Sequence, residues 1–206
     1  MSDEITEEEV QDIPSTKSSS TKTPLRSLID WLIVVVVALG AALLIRVFVF
    51  QQFYISGPSM QTTLFNDNRV LVNKMSYHLH GIHHGDVVVF DRVTTSAGAV
   101  NHDDLIKRVI ALGGDTIEIK KCVVYLNGEA LKENYLNKDD LAQTDLSSRC
   151  RVINMDAKTI PDGQIFVMGD NRPESYDSRM FGPIDVDLVV GRAFMIVWPL
   201  SRIGFL

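Results

Sequence analysis

Polar and apolar positions divide the chain into three parts. Residues 1–26 are acidic at first and then rich in Ser, Thr and Lys, with almost no large apolar side chains. Such a segment cannot bury enough surface to offset its ordering entropy, which predicts a disordered tail. Residues 31–45 then form an uncharged apolar run, WLIVVVVALGAALLI, and the remaining chain shows the short alternating runs of β-strands.

The apolar run predicts a membrane-spanning helix. Extended to Phe50 it gives 20 residues, and such a helix would measure about 30 Å, the thickness of a bilayer core. Arg46 lies near one end, where its side chain can reach the headgroups. A cleaved signal peptide would need a small-residue cleavage site, and the continuation RVFVFQQFYI offers none. A buried core helix would need a large protein around it. We therefore expect an uncleaved single-pass helix over residues 27–50.

Basic residues predict the orientation of this helix. Three of them lie on its N-terminal side within residues 1–26, whereas the next one after Arg46 is Arg69. Because Lys and Arg accumulate on the cytoplasmic side of a membrane span, we expect a cytoplasmic tail. Residues 51–206 would then lie outside the plasma membrane.

The pattern after residue 50 is typical of antiparallel β-structure. Strand-like runs separated by turn residues occur at 69–77, 85–93, 115–131, 163–171 and 189–200. The run over 115–131 predicts a hairpin that turns at Asn127–Gly128. The polar stretch 94–103 predicts a loop, and the polar stretch 132–158 predicts a small appendage or cap hairpin. The expected fold is mainly β, with an antiparallel sheet as its core.

Charge and cysteine content narrow the function. The formal net charge of −6 argues against nucleic acid as the main partner. Cys122 and Cys150 are too few for a scaffold built on disulfides. They would form a single bridge in an oxidising compartment, and two free thiols are the equal alternative.

Four histidines raise the question of a metal site. His78, His80, His83 and His84 lie within seven positions. In a strand, His78 and His80 would share one face, and either later histidine could close a zinc site after a turn at Gly81. No Cys or carboxylate at ligand spacing completes the set. A solvated strand end is therefore favoured over a metal centre.

The stretch SGPSMQTTL, residues 56–64, contains a serine without a nearby histidine. A Ser-His-Asp triad would combine Ser59 with His102 and one of its neighbours Asp103 or Asp104. His102 belongs to a polar stretch, where a solvated side chain is the commoner case. The triad is therefore the weaker interpretation.

Lys107 is the alternative base for that serine. It lies among the apolar residues of DLIKRVIALGGD, and a neutral lysine can activate a serine. Burial disfavours the charged ammonium and lowers the pKa of a lysine. In an extended strand Lys107 would point into an apolar site while Arg108 faces water or an acid. A lysine on a solvated strand face is an equally good interpretation of this segment alone.

A third segment, GDNRPESYDSRMFGP at 169–183, is dense in charged and turn-forming residues. It is either a plain loop between two strands or a structured polar network.

The segments SGPSMQTTL, GDVVVF, IKRVIALGGD and GDNRPESYDSRMFGP, in this order behind an apolar run, resemble type I signal peptidases (leader peptidases). These are membrane-bound Ser/Lys serine endopeptidases that cut signal peptides from exported preproteins after a small residue, as in Ala-X-Ala sites. The resemblance runs from the apolar segment to the C-terminus. It implies a β-rich catalytic core with a small β insertion near residues 121–158, and no metal or cofactor. The expected partners are exported preproteins, the lipid bilayer and, as a further candidate, the secretion translocase.

The resemblance also implies roles for single residues. Ser59 matches the nucleophile, Lys107 the general base, and Ser175 the serine that holds the lysine amine. Supporting roles fall to Gly57, Asp170, Asp177 and Arg179, of which the last two resemble a structural salt bridge. A pocket for small side chains would be lined by Met60, Leu64, Leu105 and Ile106, with Met60 packed against the lysine.

Gly57 departs from part of the family pattern. Some members carry a serine there, and its hydroxyl contacts the oxyanion. With Gly57 the oxyanion hole would depend on backbone N–H groups, chiefly that of Ser59.

Two other classes stay open on the sequence. One is a related Ser/Lys self-cleaving protease of the phage-repressor type, although such proteins bind DNA in the cytoplasm and need no membrane segment. The other is a membrane-anchored binding module that kept the fold without catalysis. The intact Ser59, Lys107 and Ser175 argue against this second class.

Overall fold

A computed structural model describes residues 24–96 and 99–206 of the chain. Contacts divide the chain into two units, with the boundary between Ala42 and Leu43. Most of the tail expected over residues 1–26 lies outside the described residues, and its last three residues belong to the first helix.

Helix α1 spans Pro24–Phe48. Proline suits its first position, because the missing N–H would have no partner within the helix. The side chains of residues 28–43 are all exposed, and most of them are large and apolar. Within the described part of the chain, no helix combines the length and the apolar character needed to cross a membrane. The membrane span expected over 27–50 therefore stays a prediction.

The second unit is built from antiparallel strands. In the described residues they are β1 Phe50–Tyr54, β2 Arg69–Asn73, β3 Val87–Ser96, β4 Ala99–Leu112, β5 Thr116–Lys120, β6 Val123–Leu126, β7 Glu129–Ala130, β8 Met155–Thr159, β9 Gln164–Met168, β10 Ile184–Asp185, β11 Val189–Trp198 and β12 Gly204–Phe205. The main sheet has the order β1-β2-β11-β3-β4-β9-β10, and β12 pairs with β11 outside this order. A second sheet has the order β7-β6-β5-β8. The expectation of a mainly β, antiparallel fold is confirmed.

The main sheet is covered on both faces, which explains why β3 begins with four consecutive buried residues. Val87 and Val89 belong to one core cluster, together with Val70 and Val72 of β2. Val88 and Phe90 belong to a second cluster on the other face. Since successive strand residues point to opposite faces, an uninterrupted apolar run is the pattern of a strand buried on both sides.

A third core cluster joins the two sheets. It combines Ile110 and Phe166 of the main sheet with Ile117, Ile119 and Val124 of the second sheet. The second sheet is therefore packed on the main one through apolar side chains.

Two local expectations were wrong. The stretch 94–103 is no loop, because β3 continues to Ser96 and β4 begins at Ala99, with Val93 paired to His102. Its exposed residues form a two-stranded ribbon, in which neither face has a hydrophobic pattern to reveal the strands.

The strand expected over 69–77 ends at Asn73, whose side-chain oxygen accepts a hydrogen bond from the backbone of Met75. A helical turn, α2 (Ser76–Leu79), follows.

The second sheet contains the expected hairpin turn at Asn127–Gly128, with φ of 52° and 87°. A further turn at Lys121–Cys122, with φ of 49° and 67°, separates β5 from β6 and was not expected. Neither Lys nor Cys is typical of a two-residue turn with positive φ, so the sequence carried no signal.

Cys122 and Cys150 form a disulfide bond, which decides the open question of their pairing. The bond spans 28 positions and encloses two short helices, α3 (Lys138–Ala142) and α4 (Leu146–Arg149). It ties the polar stretch after β7 to the turn at Lys121–Cys122, so this stretch forms a cap at that end of the second sheet.

Candidate active site

The turn after β1 and the middle of β4 bring a serine and a lysine together. The Nζ atom of Lys107 lies 2.8 Å from Oγ of Ser59, although the residues are 48 positions apart. The same amine donates a hydrogen bond of 2.9 Å to the Ile106 carbonyl. A neutral amine can donate to that carbonyl and still offer its lone pair to the serine proton.

Ser59 is held by a compact turn. The backbone N–H of Gln61 donates to the Pro58 carbonyl, and that of Leu64 donates to the Met60 carbonyl, at 3.0 and 2.8 Å. Met60 and Leu64 are fully buried in the first core cluster. The turn is thus anchored by apolar side chains on both sides of the partly exposed Ser59.

Lys107 is only 3% exposed. This burial lowers the pKa of its amine to about 8, against the opposing influence of Asp177 and Asp170. A pKa in this range gives a substantial neutral fraction near pH 8. The buried amine is therefore able to accept a proton.

Ser175 also lies beside this pair but makes no hydrogen bond to the lysine. Within the described residues its buried hydroxyl has no hydrogen-bond partner, although it lies near the Asp177 carboxylate. A Cβ atom added to Gly169 would lie 2.3 Å from both Ser175 Oγ and the Ser59 carbonyl oxygen. Gly169 therefore has to be glycine for these two serines to approach the same backbone. The role of Ser175 toward Lys107 stays a prediction.

The loop that carries Ser175 is held by a buried ion pair. The Arg179 guanidinium donates to both carboxylate oxygens of Asp177, at 2.8 and 2.7 Å, and the backbone N–H of Gly169 donates to the same carboxylate at 2.9 Å. Burial alone would raise the pKa of Asp177, but the Arg179 ion pair outweighs it and the pKa lies below its usual value. Asp177 is therefore a stable anion behind the lysine.

A second buried ion pair was not foreseen. Arg108 donates to both oxygens of Asp170, at 2.9 and 2.7 Å, and Thr63 donates to Asp170 Oδ2 at 2.5 Å. It links the turn of Ser59, the strand of Lys107 and the loop of Ser175. The sequence analysis expected Arg108 to face water or an acid, but the sequence did not indicate which acid would be its partner.

Gly57 precedes the turn of Ser59 with φ of +102°, a conformation that residues other than glycine rarely adopt. Its N–H donates to the Asn66 side chain at 2.7 Å. A serine at this position would be strained, so the local backbone agrees with glycine there.

The four predicted pocket residues do not form one group. Met60 and Leu64 are buried within the first core cluster, and Ile106 packs against that cluster. Leu105 packs against the cluster on the other face of the sheet. A pocket for small side chains stays a prediction, with Leu105 as its weakest member.

The alternative triad is not assembled. His102 lies in the exposed ribbon, where its ring nitrogen is 2.6 Å from Asp91. Along the extended strand β4 it lies five positions from Lys107, roughly 17 Å away. Ser59 is hydrogen-bonded to Lys107 instead.

The histidine cluster is dispersed as well. His84 contacts Asp115 at 2.6 Å, and His83 lies 3.9 Å from Asp86 with its side chain 73% exposed. His80 is exposed, and the side chain of His78 lies outside the described part. No group of three or more potential metal ligands occurs in the described residues.

The site combines a partly exposed hydroxyl with a buried amine of lowered pKa at hydrogen-bond distance, on an antiparallel β scaffold. This arrangement is suited to a nucleophile and its general base. Comparison with known proteins agrees. The family model "Signal peptidase, peptidase S26" matches residues 28–198, and the chain belongs to this family.

Named relatives lie within the same family. Signal peptidase I of Bacillus caldolyticus is 37% identical over 172 residues, covering 82% of this chain and 91% of the relative. Signal peptidase IB of Staphylococcus aureus is 35% identical over 187 residues, covering 87% and 94%. A crystal structure of a signal peptidase I from Enterococcus faecalis shares 30% identity and covers 55% of this chain and 97% of its own, with a TM-score of 0.42. The expected family is confirmed.

Proposed function

We propose that this peptidase removes N-terminal signal peptides from exported preproteins, with Ser59 as the nucleophile and Lys107 as the general base. The observation that carries the proposal is the 2.8 Å contact between Lys107 Nζ and Ser59 Oγ in a buried setting. The matching relatives are named signal peptidases, which supports the substrate class.

The reaction proceeds in two stages. Neutral Lys107 takes the hydroxyl proton of Ser59 while Oγ forms a bond to the carbonyl carbon of the scissile peptide. The C–N bond then breaks, and the leaving amine takes the proton from Lys107. The neutral Lys107 amine then takes a proton from water, and the water oxygen attacks the carbonyl carbon of the acyl-enzyme. The ester bond to Ser59 Oγ breaks, and Oγ takes the proton back from Lys107. Cleavage follows a small residue, as in an Ala-X-Ala site.

The developing oxyanion needs hydrogen-bond donors. In the described residues the backbone N–H of Ser59 donates no hydrogen bond of its own. It is therefore free to stabilise the oxyanion, in line with an oxyanion hole built from backbone. Gly57 supplies no side-chain hydroxyl for this purpose.

Residues 27–50 attach the enzyme to the plasma membrane, with the N-terminus in the cytoplasm and the catalytic unit outside. The uncharged run in the sequence and the exposed apolar side chains of α1, such as Trp31 and Leu39, support this assignment. Resistance to alkaline carbonate extraction tests the attachment, and protease accessibility in spheroplasts tests the orientation. Release by carbonate would contradict a spanning helix.

The catalytic assignment is tested by replacing each partner separately. Ser59→Ala and Lys107→Met should each lower preprotein cleavage by about 10³-fold or more, because either change removes the nucleophile or its activation. Ser201→Ala and Lys158→Met are matched controls, since both residues are exposed, and each should keep full activity. Near-normal cleavage by Ser59→Ala or Lys107→Met would contradict the proposal.

The acidity of Lys107 predicts the pH profile. The base works only in its neutral form, and its pKa is about 8. The kcat value should therefore rise with pH through about 8 and level off above it. A profile that is flat between pH 6 and 9 would rule out this lysine as the base in the rate-limiting step.

A further inference from the structure

The segment after β7 extends from the second sheet to two buried arginines, Arg172 and Arg108, near the Ser59–Lys107 pair. Glu133 accepts hydrogen bonds from both terminal nitrogens of Arg172, one of them at 2.9 Å. Tyr135 donates to the same carboxylate at 2.8 Å. Glu133 and Arg172 are 9% and 6% exposed at their side chains, so this is a buried ion pair.

Arg172 connects Glu133 to the backbone that contacts Ser59. Its Nε atom donates to the Gly169 carbonyl at 3.0 Å. Gly169 is the residue whose Cα abuts the Ser59 carbonyl, and the neighbouring Asn171 N–H donates to that same carbonyl at 3.1 Å. Glu133 thus supports the backbone on which Ser59 rests.

Tyr135 supports the lysine strand in a similar way. Its ring lies under the Arg108 guanidinium, 4.1 Å from carbon to ring centre. Arg108 is the residue directly after Lys107, and it donates to the carboxylate of Asp170, to the Gly85 carbonyl and to the Thr63 hydroxyl. The ring and the carboxylate together allow this guanidinium one orientation, because a planar cation stacks on one face and forms its fork of hydrogen bonds in its plane.

We propose that Glu133 and Tyr135 are positioning residues, which align Ser59 and Lys107 through Arg172 and Arg108. The segment that follows β7 of the second sheet then positions the Ser59–Lys107 pair rather than being an appendage of the core. This inference rests on the proposed Ser59–Lys107 chemistry, and the experiment below separates the two.

The test compares variants of the full-length enzyme in detergent, with preprotein cleavage as the assay. Tyr135→Leu removes the ring beneath Arg108 and should lower kcat by about 10- to 100-fold while KM changes little, because a displacement of about 1 Å at reacting groups has an effect of this size. The midpoint of its pH profile should also move upward from about 8, since a loosened site admits water to Lys107. Tyr135→Phe keeps the ring and should retain most of the activity and the wild-type midpoint.

Matched controls lie in the second sheet, in the strands directly before this segment. Tyr125→Leu removes a ring that contacts the exposed Lys120, and it should leave kcat and the pH midpoint unchanged. Glu133→Gln, compared with Glu129→Gln on β7, tests the Arg172 branch and should lower kcat about tenfold. If Tyr135→Leu does not fold, as judged by circular dichroism, the Glu133 pair decides by the same criteria.

The outcomes are distinct. Folded Tyr135→Leu and Glu133→Gln variants with the kcat and pH midpoint of their controls would overturn the positioning role. An active Lys107→Met variant would instead overturn the proposed function. A loss of kcat without any movement of the pH midpoint in Tyr135→Leu would reduce Tyr135 to a purely structural residue.

Discussion

Strand β4 carries two polar pairs that look alike in sequence and differ in the structure. Lys107 contacts Ser59 at 2.8 Å, and His102, five positions earlier, contacts Asp91 at 2.6 Å. Lys107 is 3% exposed, whereas the His102 side chain is 63% exposed. Histidine is the more usual partner of a catalytic serine, yet here the buried residue is the lysine, and burial lowers its pKa. Position in the sheet, rather than residue type, separates the candidate site from a surface contact.

The largest expected difference between the two pairs is in activity. Lys107→Arg keeps the positive charge but cannot become neutral, since the guanidinium stays protonated. Preprotein cleavage should fall about 10³-fold or more, the effect of losing a general base. His102→Arg should stay within about twofold of wild type, because surface changes seldom matter. Comparable losses in both variants would erase the distinction.

The next effect is on stability. Arg108→Ala leaves the Asp170 carboxylate buried without its bidentate partner, and such a change costs about 3–5 kcal/mol of unfolding free energy. Asp91→Asn should cost no more than about 1 kcal/mol, since that pair is largely solvated. Chemical denaturation of the two variants measures the difference. Equal destabilisation would mean that the burial of the Arg108–Asp170 pair carries no special weight.

Buried Lys107 should lower the free energy of unfolding at neutral pH. Its pKa is about 8 in the folded protein, against an ordinary 10.5, so between these pH values only the unfolded chain holds the proton. Unfolding free energy therefore rises with pH across this window, and below pH 8 the buried charge costs roughly 3 kcal/mol. Lys107→Met should be more stable than wild type at pH 7, and its advantage should shrink as pH approaches 10.5.

Denaturation at pH 7 and at pH 10 measures this change. His102→Met is the control and should shift stability by no more than about 0.5 kcal/mol at either pH. A Lys107→Met variant that is less stable at pH 7 would show that the amine contributes more through its hydrogen bonds than it loses through burial.

The smallest expected effect is the coupling within the exposed pair. A double-mutant cycle with Asp91→Asn and His102→Gln should give a coupling of at most about 1 kcal/mol at pH 6. The coupling should fall further in 1 M salt, where the screening length is about 3 Å. A salt-independent coupling above 2 kcal/mol would indicate that the ribbon is less solvated than its exposure suggests.

The sequence was most informative where local pattern and tertiary environment agree. Val87–Phe90, buried on both faces, reads as a strand without ambiguity, and Asn127–Gly128 has the backbone preference that its turn requires. The ribbon around Ser96 and Ala99 was missed because two exposed faces leave no period to detect. The turn at Lys121–Cys122 was missed because tertiary constraints there override local preference.

Within the candidate site, proximity along the chain was a poor guide. The contact between Ser59 and Lys107 was inferred from a family resemblance, since no local pattern in the chain between these residues, which are 48 positions apart, specifies it. Glu133 and Tyr135 were missed entirely, because they lie in a polar stretch that looks like a surface appendage. The sequence shows which residues are charged. It does not show whether such a residue is solvated or forms a buried ion pair.

The sequence by itself determined the family and the mainly β character of the chain after residue 50, and it selected Ser59, Lys107, Asp170 and Asp177 as candidate site residues. The tertiary structure decided that Cys122 pairs with Cys150, that Lys107 rather than His102 faces Ser59, and that Arg108 pairs with Asp170. The physical reason is desolvation. Side-chain pKa values and ion-pair strengths depend on how many atoms exclude water from a group, and strands far apart in sequence supply those atoms.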